Sequence, residues 1–402
     1  MITTYCRHFS FVALCSAVAV IMAGCEPKPA YDKAHILEVA EAQVDHQIAL
    51  VEEDQIQVLN PRSVLNGVIQ YIPIDDWCSG FFPGIVWEMY RLTGDAKYLP
   101  YAERYTLALD SIKHLKWHHD VGFMMDCSYG QAYAATGDAA YAEVLVETAR
   151  SLVTRFRPAA GVIQSWDENR GWQGERGWQC PTIIDNMMNL ELLFKATQIS
   201  GDSTFWRIAV SHADTTMKYH FRPDYSCYHV VDYNKVDGGI RGCCTAQGYA
   251  DASTWARGEA WALYGYGICY YYTRDPRYLE QCKHVYDFIF NHPRLPEDLV
   301  PYWDYDDPTI PNAPRDASAA AITASALYLL GEWIPAYRAT ADRIMASLSS
   351  PAYLALVGTN GNFLLMHSVG ALPFGGEIDV PINYADYYFL EALLRAEGKD
   401  LP

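Results

Sequence analysis

The stretch that decides the fold is Cys180-Pro-Thr-Ile-Ile-Asp-Asn-Met-Met-Asn-Leu-Glu-Leu-Leu-Phe194, which carries a carboxylate, Asp185, among isoleucines and methionines. Pro181 and Thr182 are typical of a helix start, and the run from there to residue 199 is apolar on nearly every side. We therefore predict a buried helix with Asp185 in its first turn. Two interpretations of Asp185 stay open. It complements the helix dipole or caps the helix end, or its apolar neighbours raise its pKa and suit it to general acid catalysis.

A repeated turn organises the chain around this stretch. The turn is a triplet: a small residue comes first, glycine or arginine second, and aspartate third. It occurs at 93–95, 136–138, 200–202 and 273–275. A helix that is apolar nearly all round precedes each turn, and an amphipathic charged helix follows it. The predicted inner helices are 80–92, 121–135, 183–199, 255–272, 317–330 and 384–396. With an opening helix at 34–51 there are six inner and six outer helices, so we predict an all-α fold, an (α/α)6 toroid, forming one catalytic domain over residues 34–402.

The connections between these helices differ in length, and this places the functional site. Turns from inner to outer helices are short, whereas most outer-to-inner connections are long, and loops of that length inside a compact domain are usually functional. The outer-to-inner connections are 52–77, 115–119, 158–182, 220–253, 292–314 and 351–383. All six lie at the end of the ring where the inner helices begin. Six helix N-termini meet there, and their partial positive charge suits an anionic ligand.

The long connections bring polar and aromatic side chains to this end of the ring. The candidates are Trp77, His119, Asp120, Trp166, Asp185, His229, Gln247, Arg257 and Trp261. Arg257 and Trp261 are four residues apart, which places a fixed cation and a stacking plane on one helix face. The alternative for Arg257 is a structural ion pair with Glu259 or Asp251. The alternative for Asp120 is a helix cap, and the two histidines taken singly are ordinary loop residues.

The N-terminus has the pattern of an export signal. Arg7 precedes an apolar run from residue 9 to 22, and Ala23-Gly-Cys25 follows. We interpret residues 1–24 as a lipoprotein signal peptide, Cys25 as the lipidation site and 25–33 as a tether. The expected location is the periplasm or the cell surface, with contact to the membrane only through the lipid anchor at Cys25.

Composition excludes some partners. The formal net charge of −18 argues against a nucleic-acid ligand. Eight of the eleven cysteines fall after Cys25, too dispersed for a disulfide scaffold, and without a CxxC pair a zinc site is not expected. Tyrosine and tryptophan are abundant, with 30 and 11 copies, and such rings stack on sugars, although a large helical core with Tyr at its edges accounts for most of them.

Four segments together resemble glycoside hydrolase family 88. They are His119-Asp-Val-Gly-Phe123, Pro181-Thr-Ile-Ile-Asp-Asn-Met-Met-Asn189, Gln247-Gly-Tyr-Ala-Asp-Ala-Ser-Thr-Trp-Ala-Arg-Gly-Glu-Ala-Trp261 and Ile382-Asn-Tyr-Ala-Asp-Tyr-Tyr-Phe-Leu-Glu-Ala-Leu-Leu394. The resemblance implies an (α/α)6 unsaturated glucuronyl hydrolase that needs no metal or other cofactor. Such enzymes remove the Δ4,5-unsaturated uronic acid that polysaccharide lyases leave, by hydrating its vinyl ether. It further implies that Asp185 is the general acid and base, that Asp120 is the second required carboxylate, and that the other seven candidates bind the uronate and its neighbour.

Three rival functions remain at this point. They are an unsaturated rhamnogalacturonyl hydrolase of the same fold, an ordinary (α/α)6 glycosidase or a sugar epimerase using His119 and His229, and a non-catalytic glycan-binding lipoprotein. A further expectation concerns sulfate. Relatives that favour sulfated substrates carry Ser and Lys in the region of residues 367–373, and this chain has no Lys there. Arg241 or another base is a candidate to take that role.

Overall fold

The structure is a computed structural model that describes residues 31–53, 60–400 and 402. The predicted signal peptide, Cys25 and most of the tether lie outside the described residues, so those predictions stay as they are. In the part of the chain that the structure describes, no helix combines the length and apolar character needed to cross a membrane.

Among the described residues, twelve helical segments form two concentric layers, as the repeat predicts, if the pair α4 and α5 is counted as one. The inner layer contains α2 (Phe81–Thr93), the pair α4 (Val121–Met125) and α5 (Gln131–Thr136) joined by a π-helical turn at Asp126–Gly130, α7 (Leu190–Ser200), α9 (Ala256–Thr273), α11 (Ala317–Leu330) and α13 (Asn383–Ala396). The outer layer contains α1 (Lys33–Glu53), α3 (Leu99–Leu107), α6 (Ala139–Val153), α8 (Ser203–Tyr219), α10 (Pro276–Asn291) and α12 (Ala336–Leu348). Each inner helix packs on the next, and α13 packs on α2, so the ring closes. The (α/α)6 toroid is confirmed.

The repeated turn joins the two layers by capping both helices at once. Gly94, Gly137 and Gly201 end their inner helices in the left-handed conformation, with φ of 72°, 68° and 75°. Glycine adopts that conformation without a steric penalty. The aspartate that follows each glycine then accepts a hydrogen bond from the backbone N–H two residues later. This caps α6 and α8 directly and, for Asp95, the 3-10 turn Ala96–Tyr98 that leads into α3.

The long connections contain short antiparallel strands, which the sequence analysis did not predict. The pairs are β1 (Asn60–Leu65) with β2 (Val68–Ile72), β3 (Phe156–Arg157) with β4 (Val162–Ile163), and β8 (Ser368–Ala371) with β9 (Gly376–Val380). A three-stranded sheet has the order β5 (Pro181–Ile183), β6 (Val230–Tyr233) and β7 (Ile240–Cys244). All of these strands lie in the connections that lead into inner helices, so they shape the end of the ring that carries the site.

The predicted start of the third inner helix is wrong. Residues 181–183 are strand β5, in which Ile183 pairs with Val230, and Ile184–Asn189 is a 3-10 helix; α7 begins only at Leu190. The cause is non-local, because β-branched residues favour a strand once a partner strand is present. Asp185 therefore lies in the 3-10 turn between β5 and α7 and not in the first turn of an α-helix.

The core fills the ring and the space between its layers. Every residue of α11 is buried, which agrees with an inner helix that is apolar on all sides. The eight cysteines of the described residues are free thiols, six of them buried and two half-buried.

Candidate active site

A cavity of about 440 Å³ opens at the end of the ring where the inner helices begin, which we call the mouth. Its lining residues come from several of the long connections. They are Pro73, Asp75, Asp76, Trp77, Trp117, His118, Asp120, Trp166, Trp172, Gln173, Gln247, Ala371 and Phe374. Four of the residues predicted from sequence, Trp77, Asp120, Trp166 and Gln247, are among them.

Asp185 is a buried acid that does not itself line this cavity; it lies next to His229, whose ring packs against the lining residue Trp166. Its side chain does not cap a helix, because the cap position of the 3-10 turn is Ile183 and no side chain caps it. Only 7% of Asp185 is exposed, and its Oδ1 has no hydrogen-bond partner among the described residues. Burial raises the pKa of Asp185 to about 7; the charge of Arg257 lowers this pKa and the charge of Asp120 raises it. The geometry therefore supports the general-acid interpretation of Asp185 over the capping interpretation.

His229 faces Asp185 and is held in one tautomer. Its Nδ1 accepts hydrogen bonds from the backbone N–H groups of Ala246 and Gln247, at 3.0 and 3.2 Å. The proton of a neutral ring then lies on Nε2, which is 3.7 Å from Asp185 Oδ1. Burial and the charge of Arg257 lower the pKa of His229 to about 3, so the ring is neutral in ordinary buffers. The loop before β6 thus presents a neutral N–H donor beside the acid.

Two histidines flank the carboxylate of Asp120. One carboxylate oxygen is 3.1 Å from His119 Nε2, and the other is 3.2 Å from His118 Nδ1, which accepts a hydrogen bond from the Asp120 backbone N–H. Burial raises the pKa of Asp120, but His119, His118 and the charge of Arg155 outweigh it and hold the pKa below its usual range. Asp120 occupies the cap position before α4, yet its side chain makes no capping hydrogen bond. The structure does not support the helix-cap alternative.

Two asparagines of the 3-10 turn fix the orientation of His119. Asn189 Oδ1 accepts a hydrogen bond from the backbone N–H of Phe123 at 3.0 Å, so its amide NH₂ faces His119 Nδ1 at 3.2 Å and the Asn186 side chain at 3.3 Å. The amide NH₂ can only donate, which leaves the His119 proton on Nε2, toward Asp120. The same turn that carries Asp185 therefore also orients the partner of the second carboxylate.

Arg257 is paired, but with neither acid that the sequence analysis named. Its Nη1 lies 3.1 Å from Asp316 Oδ2, and the guanidinium also donates to the carbonyls of Val369 and Gly370. Glu259 and Asp251 instead accept hydrogen bonds from backbone N–H groups. Arg257 is 1% exposed, and its Nε has no partner among the described residues. It is therefore both a structural ion pair and the buried positive charge nearest to the acid.

The aromatic candidates differ in what they offer the cavity. Trp77 and Trp166 are half-buried; Trp166 lies 6.1 Å from His229 between ring centroids, and Trp77 lies 5.2 Å from Tyr384. Trp261 is fully buried, with Phe123 and Tyr388 packed against it in edge-on geometry. No exposed face of Trp261 is left for stacking, so the predicted stacking plane is wrong for this residue; its indole N–H instead helps to lower the pKa of Asp185.

Several residues that complete the site were not predicted from the sequence. They are His118, Asn186, Asn189, Asp316 and Tyr384. Asn189, Asp316 and Tyr384 lie within two residues of the start of an inner helix, and His118 is next to His119, the partner of Asp120. Asn186, Asn189 and Tyr384 also stand inside the segments quoted above. Position at the start of an inner helix was the available signal for Asp316, which caps α11 through the Ser318 N–H.

Several buried polar atoms at the site have no protein hydrogen-bond partner. In the described part of the chain they include Asp185 Oδ1, His229 Nε2, Arg257 Nε, Trp261 Nε1 and Tyr384 Oη, and others, such as those of Glu88 and His220, lie elsewhere in the core. Buried polar groups are normally hydrogen-bonded, so such a group of atoms is typical of a site that binds a polar ligand. Among the same residues, no group of three or more His, Cys, Asp or Glu side chains is arranged to hold a metal ion.

The closed ring of helical hairpins and this polar, aromatic mouth, with two carboxyl groups of widely separated pKa, define an (α/α)6 enzyme that acts on carbohydrates. The model of Glycosyl Hydrolase Family 88 matches residues 48–396, most of the chain. The protein belongs to this family and is a glycoside hydrolase.

Individual relatives agree with this assignment. The chain is 47% identical over 335 residues to an unsaturated glucuronyl hydrolase of Formosa agariphila, with 82% of each chain covered. It is 33% identical to an unsaturated glucuronyl hydrolase of a Bacillus species, over 83% of this chain and 90% of that one. Among solved structures, it is similar to an unsaturated glucuronyl hydrolase specific for heparin, with a TM-score of 0.86, 44% identity, and coverage of 91% of this chain and 98% of that one.

Proposed function

We propose that this protein removes the terminal Δ4,5-unsaturated glucuronic acid from lyase-generated, glycosaminoglycan-type oligosaccharides by hydrating the vinyl ether. The observation that carries the proposal is Asp185, an acid whose pKa burial raises to about 7, beside the mouth of a family 88 fold. An acid with that pKa is partly protonated near neutral pH and can both give and take a proton.

The proposed reaction adds one water molecule across the C4–C5 double bond. Asp185 gives its proton to C4, and a water oxygen bonds to C5 while the water's proton returns to the Asp185 carboxylate. The C5 hemiketal opens to a ketone, which leaves a hemiacetal at C1, and this hemiacetal releases the remaining saccharide as an alcohol. The two-carboxylate spacing rule of retaining and inverting glycosidases concerns attack at the anomeric carbon and has no role in this step.

The surrounding residues have separate parts in this proposal. The buried charge of Arg257 and the N–H donors of His229 and Trp261 favour an anionic uronate beside Asp185. Asp120, held ionised by His118 and His119, accepts a hydrogen bond from the attacking water. Trp77 and Trp166 form the apolar part of the cavity wall against which a sugar ring packs.

The test follows the double bond directly. Purified protein is mixed with a lyase-generated unsaturated disaccharide, and the ultraviolet absorbance of the double bond is recorded for wild type and for Asp185→Asn. Wild type is expected to remove the absorbance, and Asp185→Asn is expected to bind the disaccharide in calorimetry without turning it over. In D₂O the wild-type product carries deuterium at C4. More than a few per cent of wild-type activity in the variant, or a product without deuterium at C4, overturns the proposal.

We also propose that a lipid on Cys25 anchors the enzyme in the periplasm or at the cell surface, as the pattern of residues 1–25 suggests. Metabolic labelling with a fatty acid, followed by fractionation, tests this. The wild-type chain is expected to carry label and to sediment with membranes, and Cys25→Ser is expected to do neither. A wild-type chain without label contradicts the proposal.

A further inference from the structure

A second cavity lies inside the ring, on the side away from the mouth. Its volume is about 320 Å³, which falls at the lower end of the range for small-molecule sites. It extends from Phe123 and Met188 to the exposed residues Ala134 and Gln198, near the C-terminal ends of α5 and α7. The described lining residues of this cavity and of the mouth do not overlap. We call it the axial cavity, and the lining residues that matter here are Asp126, Glu191, Lys195, Tyr272, Tyr388 and Glu391.

The wall of the axial cavity carries more carboxyl groups than cations. Asp126, Glu191, Glu391 and Asp400 line it, whereas Lys195 is the one cation among its described lining residues. Lys195 Nζ lies 3.1 and 3.2 Å from the two Asp126 oxygens and 2.7 Å from Glu191 Oε1. One cation is thus shared by two carboxyl groups, and burial raises the pKa of Asp126 to about 6 although Lys195 lowers it. The cavity wall is therefore short of positive charge.

The carboxyl groups differ in whether a ligand can use them. Glu391 lies 3.3 Å from Arg395, and Asp400 lies between Arg395 and Arg91, so both have cations of their own. Glu191 differs, because among the described residues only the shared lysine pairs with it, at Oε1. The second oxygen of Glu191 is therefore free to accept a hydrogen bond from a molecule in the cavity.

Two tyrosine hydroxyls at the cavity also have no hydrogen-bond partner among the described residues. Tyr388 is only 2% exposed, and burial together with nearby groups that include Glu391 and Glu191 raises its pKa well above the usual value. The Tyr272 hydroxyl is buried and unpaired. Buried hydroxyl groups are normally hydrogen-bonded, so these two are typical of a site that is completed by a ligand. Tyrosine rings beside carboxylates also suit a cation, because the ring face attracts positive charge.

We propose that the axial cavity binds a small protonated amine no larger than one sugar ring, such as an amino sugar. This inference goes beyond the proposed function and concerns a site separate from the mouth. The ammonium group donates to the free oxygen of Glu191, and the hydroxyls of Tyr272 and Tyr388 bond to the polar groups of the ligand. An anion is disfavoured, because Lys195 is already held by two carboxyl groups.

The test compares D-glucosamine with D-glucose, which has the same ring and no ammonium group, by calorimetry and by the rise in Tm at pH 6.5. Wild type is expected to bind D-glucosamine with a Kd of about 1 mM or lower, and D-glucose at least about tenfold more weakly. Glu191→Gln keeps the pair of Asp126 with Lys195 and is expected to weaken D-glucosamine binding about tenfold. Tyr388→Phe, which loses only the hydroxyl, is expected to weaken it about threefold.

Three further variants locate the amine. Glu103→Gln, at an exposed acid on α3, is the matched control and is expected to bind as wild type does. Asp120→Asn removes the carboxylate that lines the mouth and is also expected to leave amine binding unchanged. Ala134→Trp places a large ring at the exposed outer end of the axial cavity and is expected to abolish binding. It tests the same site should Glu191→Gln fail to fold.

The outcomes are independent of the proposed function, which is tested by loss of the double-bond absorbance. Equal binding of the two sugars by wild type, or no binding of D-glucosamine at about ten times the expected Kd, overturns the inference and leaves the hydrolase assignment as it is. Binding that is lost in Asp120→Asn and kept in Glu191→Gln and Ala134→Trp places the amine at the mouth and also overturns it.

Discussion

Asp185 is buried and Asp120 is half-buried at the cavity wall, and their surroundings move their pKa values apart. Burial raises the pKa of Asp185 to about 7, whereas the histidines around Asp120 hold its pKa below the usual range. A pair of acids with separated pKa values is how an enzyme assigns one acid and one carboxylate at the same pH. The roles follow from the neighbours, since the two side chains are chemically the same.

Arg257 has two roles, one in the stability of the fold and one in substrate binding, and the loss of each role has a different measurable effect. Arg257→Ala leaves Asp316, which is fully buried, without its cation, and breaking a buried pair costs about 3–5 kcal/mol of folding stability. We expect a lower Tm and a strongly raised KM for the unsaturated uronate. Calorimetry and steady-state kinetics measure the two effects.

The double variant Arg257→Ala with Asp316→Asn separates the two parts. Without a buried unpaired carboxylate it is expected to recover most of the Tm, while its KM remains high because the uronate still lacks its cation. Recovery of both Tm and KM in the double variant shows that Arg257 acts only through the fold.

At the scale of elements, the sequence predicted the ring but not the strand that precedes Asp185. The turn repeat and the apolar inner helices are local signals, and the helices lie within one or two residues of their predicted bounds, apart from the third inner helix. Pairing of Ile183 with Val230 joins segments almost fifty residues apart, and no local pattern specifies it. The same limit applies to Arg257, whose partner Asp316 lies on another inner helix.

Close packing of α9 against the 3-10 turn holds Asp185 in place. A Cβ at Gly265 on α9 lies 2.4 Å from Met187 Cβ and 3.1 Å from the Met187 carbonyl carbon, so the backbone of the turn has to move. At Gly267, two residues further along α9, the nearest atoms are Leu330 and Leu329 side chains at 3.6 Å or more. The two glycines therefore form a matched pair.

We predict that Gly265→Ala destabilises the fold by about 1–3 kcal/mol and lowers kcat, because it displaces the turn that carries Asp185. Gly267→Ala is expected to keep wild-type Tm and kcat. Thermal unfolding and the unsaturated-disaccharide assay measure both variants. Equal behaviour of the two alanines shows that the position of the turn does not depend on this contact.

At the scale of the whole molecule, several buried acids link stability to pH. Burial raises the pKa of Glu259 and Asp386 to about 7 and raises that of Glu88, with help from Glu391 and Asp400, well above its usual range. The folded chain then keeps protons that the unfolded chain releases above about pH 4 to 4.5. Stability from these acids is complete below that pH and is lost as pH rises through the folded pKa values.

Glu88 tests this linkage in isolation. It is fully buried, and neither carboxylate oxygen has a hydrogen-bond partner among the described residues. We predict that the Tm of wild type falls relative to that of Glu88→Gln, which cannot ionise, as pH rises from 5.5 to 8; the buried neutral histidines act in the opposite sense but equally on both proteins. Glu38→Gln, at a side chain that is 81% exposed, is the control and is expected to follow wild type. An unchanged pH dependence in Glu88→Gln contradicts the prediction.

The mouth as a whole could be located from sequence, because six inner-helix starts and the long connections converge there. What each residue does could not be read in the same way. Trp261 was expected to stack and is fully buried, and Arg241, a candidate to take the role of the missing Lys, is paired with Asp232. Exposure and pairing are set by residues distant in the chain, so a pattern within one segment identifies the members of a site better than their roles.

The central claim, that a neutral Asp185 delivers the proton, is tested most directly by the pH dependence of kcat/KM on an unsaturated disaccharide. This quantity reports pKa values of the free enzyme. For wild type we predict a rate that falls as pH rises through about 7, where Asp185 ionises. For Asp120→Asn the falling limb is expected at lower pH, because the charge of Asp120 helps to raise the pKa of Asp185. A wild-type rate that still rises above about pH 8 contradicts the claim, since no neutral carboxylic acid then performs the step.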